Sequence, residues 1–259
     1  MPTVQRVIAP NPGPYTGPGT NTWILGDQPA LLVIDPGPDD DQHLAAIERA
    51  LNGRPVGAIV VTHSHPDHLP LAARLAERVN ARVSRFPELG DGDVVRTGGI
   101  NLIALHTPGH CADHLCFWLA DDRVLFTGDL VLGRGSSMVT YPEGDVAAYL
   151  RSLERVGALH PRLLFPGHWD PVETAEAKIE EYRAHRLERE RQVLDELARG
   201  AGSAPELARR VYADELGDSE QLLRAAEMTL RAHLKKLVDE GRVRTSPRPD
   251  GEFYELAAG

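Results

Sequence analysis

Apolar positions along this chain switch between a period of two and a period near four, and the switches mark out its elements. Val4 to Ile8 reads as a short strand, and Thr22 to Leu25 and Ala30 to Ile34 as two more, joined at Gly26-Asp27 in a hairpin. Between them lies a stiff loop, Asn11-Pro12-Gly13-Pro14-Tyr15-Thr16-Gly17-Pro18-Gly19-Thr20. Asp39 to Leu51 follows helical spacing with acidic residues in its first turn. Ala58 to Val61 is a continuous apolar run bounded by turn signals, the pattern of a strand buried on both faces. A helical pattern begins at Leu69. Further strands are expected at Arg82-Val83, Asp93 to Arg96, Ile100 to Leu105, His114 to Leu119, Val124 to Phe126 and Leu163 to Phe165. Asp145 to Val156 interrupts them as an amphipathic helix, with Val146, Tyr149, Leu150 and Leu153 on one face. Strands and helices mixed in this way predict an α/β layered domain with its site on one sheet edge.

Beyond Pro171 the pattern changes. Glu173 to Arg199 reads as one long helix, dense in Glu and Arg at spacings that allow i,i+4 pairs. Gly200-Ala201-Gly202-Ser203 breaks it, and Ala204 to Tyr212 and Gln221 to Glu240 are further helices. Val243 to Tyr254 reads as two short strands about a Pro/Asp/Gly turn. The expected organisation is a catalytic domain over residues 1–172 and a small helical, winged-helix-like domain over 173–259.

Composition narrows the class. The net charge of −10 argues against a surface that grips nucleic acid all over, while leaving room for a local basic groove. No apolar run approaches the length of a membrane span, so no membrane partner is expected. Met1 to Arg6 lacks the basic-then-apolar pattern of a signal peptide. The two cysteines, Cys111 and Cys116, stand too close together for a secreted disulfide framework. A cytoplasmic protein is expected.

The chemistry concentrates where the buried strand ends, in Thr62-His63-Ser64-His65-Pro66-Asp67-His68. His63 and His65 lie two apart and can face one metal. Asp67 and His68 follow Pro66, which redirects the chain, and can face a second. Imidazole and carboxylate ligands without thiolate suit zinc first, with manganese or iron as alternatives. Three later strand ends add His110, Asp129 and His168, each after a tight glycine-containing turn. Seven candidates are the number that two neighbouring metals need with one carboxylate shared.

With all seven in order, the chain resembles the metallo-β-lactamase superfamily and its His-x-His-x-Asp-His pattern followed by a lone His, an Asp and a final His. The resemblance implies an αββα sandwich. It implies His63, His65 and His110 on a first metal, Asp67, His68 and His168 on a second, and Asp129 bridging. It also implies hydrolysis by a metal-bound hydroxide, with Asp67 the catalytic carboxylate. Asn11-Pro12-Gly13-Pro14, Gly19-Thr20-Asn21-Thr22, Leu132-Gly133-Arg134-Gly135-Ser136-Ser137 and the tail resemble the lactamase-beta-2 group, which includes single-strand-specific endoribonucleases. Leu69-Pro70 and Trp169-Asp170 depart from the residues usual at those places.

Around the metals, Thr20 and Asn21 are candidates for hydrogen bonds at the site mouth. Arg134 is a candidate to neutralise a phosphate or carboxylate, and Trp169 to shape the rim. His114 is a candidate to line the pocket, and Cys111 to pack beside His110. The expected substrate is single-stranded RNA, with a small ester or thioester as the alternative and a nucleic-acid-binding protein with a vestigial catalytic half as a third reading. The tail and Arg134 favour RNA; the acidic balance and Trp169 favour a small substrate.

Overall fold

The computed structural model of the protein describes residues 1–213, 220–248 and 251–257. The chain divides into two compact units. One holds Met1–Pro108, Asp113–Ser137 and Arg155–Ile179; the other holds Gly109–Ala112, Met138–Glu154 and Glu180–Gly259.

Two five-stranded sheets form the first unit. One runs β1 (Val4–Ile8), β2 (Asn21–Leu25), β3 (Leu31–Ile34), β4 (Val56–Val60), β5 (Val83–Ser84). The other runs β10 (Leu163–Pro166), β9 (Val124–Gly128), β8 (Leu115–Leu119), β7 (Ile100–His106), β6 (Val94–Thr97). Side chains on the first sheet alternate between two cores. Ile24, Leu31, Val33 and Ile59 pack with Leu44, Ile47 and Leu51 of helix α1 (Asp41–Leu51) and with Leu71 and Leu75 of α2 (Leu71–Val79). Trp23, Leu25, Leu32, Ile34 and Val60 pack with Leu102, Leu115, Phe117, Phe126 and Phe165 of the second sheet. Apolar residues are needed on both faces, which is why Trp23-Ile24-Leu25 of β2 and the whole of β3 read as unbroken runs. Trp23 meets the edge of Phe165 with ring centres 4.7 Å apart. The α/β sandwich expected from the sequence is present.

Strands β3 and β4 run parallel, as do β9 and β10. Their carboxyl ends therefore collect on one edge of each sheet, and the chain leaves them at Asp35, at Thr62-His63, at Asp129 and at Gly167-His168.

The second unit includes most of helices α3 (Val146–Gly157) and α4 (Ala175–Arg199), together with α5 (Ala204–Val211) and α6 (Glu220–Asp239). A three-stranded sheet, β11 (Gly202–Ser203), β13 (Gly251–Leu256), β12 (Val243–Arg248), completes it. Val193, Leu197, Leu207, Leu230, Leu234, Val243 and Tyr254 form its own core. Helix α5 starts on a capping pair in which Ser203 N–H donates to Glu206 Oε2 at 2.8 Å. The expected hairpin is present, with the Pro249-Asp250 turn outside the described residues. Among the described residues no helix is long and apolar enough to cross a membrane.

Candidate metal centre

The site is built outward from a residue that reads in the sequence as a plain strand end. Asp35 leaves β3 with φ of 51°, a left-handed conformation that a non-glycine residue adopts at some cost. Hydrogen bonds hold it there: its N–H donates to Val60 O at 3.0 Å, and Thr22 Oγ1 donates to its carbonyl at 2.7 Å. Its buried carboxylate then accepts from Thr62 N–H and Thr62 Oγ1, both at 2.7 Å, and from His68 Nδ1 at 2.8 Å.

These bonds fix proton positions on the rings. The single Thr62 hydroxyl proton goes to Asp35, so His63 Nδ1, 2.9 Å from Thr62 Oγ1, carries a proton and donates. His68 donates through Nδ1 for the same reason. His110 Nδ1 faces Met138 O at 2.7 Å, and His168 Nδ1 faces Gly19 O at 3.4 Å. Four imidazoles thus spend Nδ1–H on the protein and turn Nε2 outward, the tautomer that a metal-binding histidine needs. His65 does the reverse, with Nδ1 3.0 Å from His63 Nε2.

The acceptors converge. His68 Nε2 is buried without a hydrogen bond, and Asp67 Oδ2 and Asp129 Oδ1 each lie 3.5 Å from it. His168 Nε2 is 3.2 Å from Asp67 Oδ2 and 3.4 Å from Asp129 Oδ2. His63, His68 and Asp129 form one cluster with ligand atoms within 4.8 Å of one another, and Asp67, His68 and His168 form a second. An orphaned buried imidazole nitrogen between two carboxylates fits a divalent cation.

Electrostatics shows the same demand for positive charge. Burial pulls the His168 pKa down, yet Asp129 and Asp67 push it up to about 10. His68 is raised against burial by Asp129, Asp35 and Asp67. Burial raises the Asp67 pKa, and the hydrogen bond from His168 with the nearby His68 brings it down to about 2.

Close backbone approach makes the convergence possible. A Cβ on Gly167 would meet Asp129 Oδ1 at 2.5 Å and His68 Cε1 at 2.8 Å. Gly128, at φ of 46°, passes against His114 and Thr62 in the same way. His110 sits in the second unit, where Gly109 presses on the Tyr149 backbone and Gly109 O accepts from Asp145 N–H at 2.8 Å.

Residues expected around the metals take varied places. Thr20 and Asn21 are fully buried, so neither stands at a solvent mouth. The Asn21 amide donates to Pro166 O at 3.0 Å and Trp169 O at 2.7 Å, tying β2 to the turn that carries His168. Arg134 is exposed in its glycine-rich loop. Trp169, at φ of 64°, is half-buried with its indole against Gly17, and its carbonyl also accepts from Arg6 Nη1 at 3.1 Å. His114 is buried behind the carboxylate: its Nε2 accepts the Asp129 N–H at 3.1 Å and its Nδ1 donates to Thr107 Oγ1 at 2.9 Å. Cys116 lies in the core, where burial pushes its thiol up to about 12. Cys111 is also buried.

Asp35 was the residue the sequence did not announce. Its only signal is a lone carboxylate at the end of an apolar strand, before Pro-Gly.

Residues 15–91 and 83–168 match the family described as the metallo-beta-lactamase superfamily, and residues 203–250 match the beta-lactamase associated winged helix domain. The chain is 31% identical to the beta-lactamase-like protein 2 homolog of Caenorhabditis elegans over 99% of its own length and 90% of that protein. It is 33% identical to an atrochrysone carboxyl ACP thioesterase of Aspergillus chevalieri, over 93% of this chain and 83% of that one. The crystal structure of a beta-lactamase domain protein from Burkholderia ambifaria superposes with a TM-score of 0.88 at 25% identity, covering 98% of this chain and 91% of that one.

Proposed function

This chain belongs to the metallo-β-lactamase superfamily of hydrolases, and we propose from there that it is a dinuclear enzyme hydrolysing a small acyl thioester or ester. His63, His65 and His110 would hold one ion, Asp67, His68 and His168 the other, and Asp129 would be shared. Zinc suits this donor set first, with manganese or iron as alternatives. Divalent ions held there polarise a carbonyl or phosphoryl oxygen and bring the pKa of a water to about 7. The chain does the rest. Asp67 accepts a proton as water attacks the carbonyl carbon, and returns it to the sulfur or oxygen that leaves. Asp35 keeps His63 and His68 in the tautomers the ions require, and His114 steadies the Asp129 backbone.

The choice of substrate rests on one observation. Five cations of the second unit, among those that would have to track an RNA backbone, are matched by carboxylates. Arg231 pairs with Glu227 at 2.8 Å, Lys235 with Asp239 at 2.5 Å, and Arg224 with Glu220 at 3.7 Å. Lys236 and Arg242 share the buried Glu190. A phosphate would have to displace these partners on a protein of net charge −10. The likeness to a thioesterase supports the same side.

Single-stranded RNA, placed first by the sequence alone, is the second reading. The winged helix domain favours it, as does the resemblance of the loops and tail to a group that includes single-strand-specific endoribonucleases. Zinc-loaded protein should be assayed side by side on an acyl-thioester panel and labelled single-stranded RNA. Thioester turnover with intact RNA is expected. Cleavage to 5′-phosphate ends with an inert thioester panel would transfer the assignment to RNA.

A further inference from the structure

The proline- and glycine-rich loop ahead of β2 has no part in the reaction described so far, although its last residues, Gly19 and Thr20, touch the metal centre and Asn11 at its start bonds Thr20. We propose that Asn11 and Thr20 form a positioning device for the second metal's ligands, Asp67 and His168, and that Thr20 acts through Asp67 without contacting substrate. This rests on reading Asp67 and His168 as metal ligands.

Proton bookkeeping leaves the Thr20 hydroxyl one orientation. Asn11 Oδ1 accepts the Thr20 N–H at 2.9 Å, which fixes which end of the amide is which. Asn11 Nδ2 then donates to Thr20 Oγ1 at 3.0 Å. With that lone pair used, the hydroxyl donates its proton to Asp67 Oδ2 at 3.2 Å. This is the carboxylate oxygen that also faces His168 Nε2 at 3.2 Å and His68 Nε2 at 3.5 Å. Thr20 is wholly buried, so the hydroxyl is committed to the protein.

The same turn grips His168. Gly19 O faces its Nδ1 at 3.4 Å, and Thr20 pairs with His168 in an isolated antiparallel bridge. Asn21 N–H donates to Gly167 O at 2.7 Å and Ala9 N–H to Thr20 O at 2.8 Å. Gly19 is required for this approach: at φ of +137° its missing Cβ would fall 2.0 Å from Ala9 O. Two consecutive residues, Gly19 and Thr20, thus hold one ligand by its ring nitrogen and another by its carboxylate oxygen. The two ligands come from loops 101 residues apart in the chain, from Asp67 to His168.

The outer partners of metal ligands govern affinity, and losing one typically costs about 10–100-fold. Zinc titration against a competing chelator, with a thermal melt alongside, tests the device without any substrate. Wild type should take up two equivalents. Thr20→Val keeps the shape and removes the hydroxyl, and should weaken the second equivalent about 10–100-fold while leaving the first unchanged. Thr20→Ser should restore it. Asn11→Ala, which frees the hydroxyl to rotate, should weaken the same equivalent by less, and it carries the test if Thr20→Val fails to fold. Two equivalents bound by Thr20→Val or Asn11→Ala as tightly as by wild type would overturn the proposal. So would a raised KM with unaltered zinc affinity, which would place Thr20 on the substrate. Wild type that binds no zinc would instead remove the metal reading on which the proposal stands.

Discussion

The Asp35 carboxylate and the His68 ring lie 2.8 Å apart, oxygen to Nδ1, and neither reaches solvent. They stand 33 residues apart in the chain and meet because β3 and β4 are parallel neighbours whose ends share an edge. The carboxylate also holds Thr62, and through it His63, so one buried charge orients two rings, one proposed for each ion.

Replacing that charge should therefore loosen metal before it loosens the fold. Asp35→Asn offers one acceptor oxygen where three donors point, and its amide hydrogens oppose one of them. Zinc affinity is expected to fall about 10–100-fold. An unsatisfied buried donor should lower stability by about 1–3 kcal/mol. Chelator competition and urea unfolding measure the two effects, and wild-type affinity in this variant would remove Asp35 from the centre.

Asp129 and His168 should separate the shared ligand from the single one. Elemental analysis of zinc-saturated Asp129→Ala should show both sites depleted, because its carboxylate clusters with His63, proposed for the first ion, and faces His168, proposed for the second. His168→Ala should retain close to one equivalent. Equal depletion in the two variants would contradict a shared Asp129.

Gly167→Ala is a steric test that leaves every ligand in place. Gly167 has no left-handed φ, so alanine brings no backbone strain; the added carbon meets Asp129 and His68 instead. Metal affinity and turnover should both fall at least tenfold, since misplacement by about 1 Å can cost about 100-fold. Full activity would mean that the two ligands tolerate separation.

The second unit has its own acid sensitivity. His233 is fully buried on α6, and burial together with Arg186, Arg189, Lys236 and His185 lowers its pKa from 6.5 to about 3. The folded ring stays neutral while the unfolded ring takes a proton below 6.5. Stability is thus fully present above 6.5 and declines as pH falls towards 3, by at most about 1.4 kcal/mol per pH unit. Denaturant unfolding from pH 7.5 to 4.5 should slope accordingly, and His233→Leu should flatten it. An identical slope in the variant would assign the acid loss to other groups.

Short apolar runs bounded by turn residues were enough to place most strands, because these strands are buried on both faces. The seven metal-type side chains were legible for a related reason. Four of them share one short turn after β4, and the others follow glycine at the ends of their own segments. A strand that delivers its last residue to a sheet edge carries its chemistry in local order. What surrounds those residues is not local. Asp35, Asn11 and His114 acquire their roles from partners 9 to 33 residues away, through bonds that exist only once the strand ends are side by side. Thr20 shows the difference most plainly. Its sequence offers a hydroxyl near a metal loop, and only the packing decides whether that hydroxyl faces solvent or Asp67. Burial removed water as a partner, Asn11 took one lone pair, and the carboxylate was left to receive the proton.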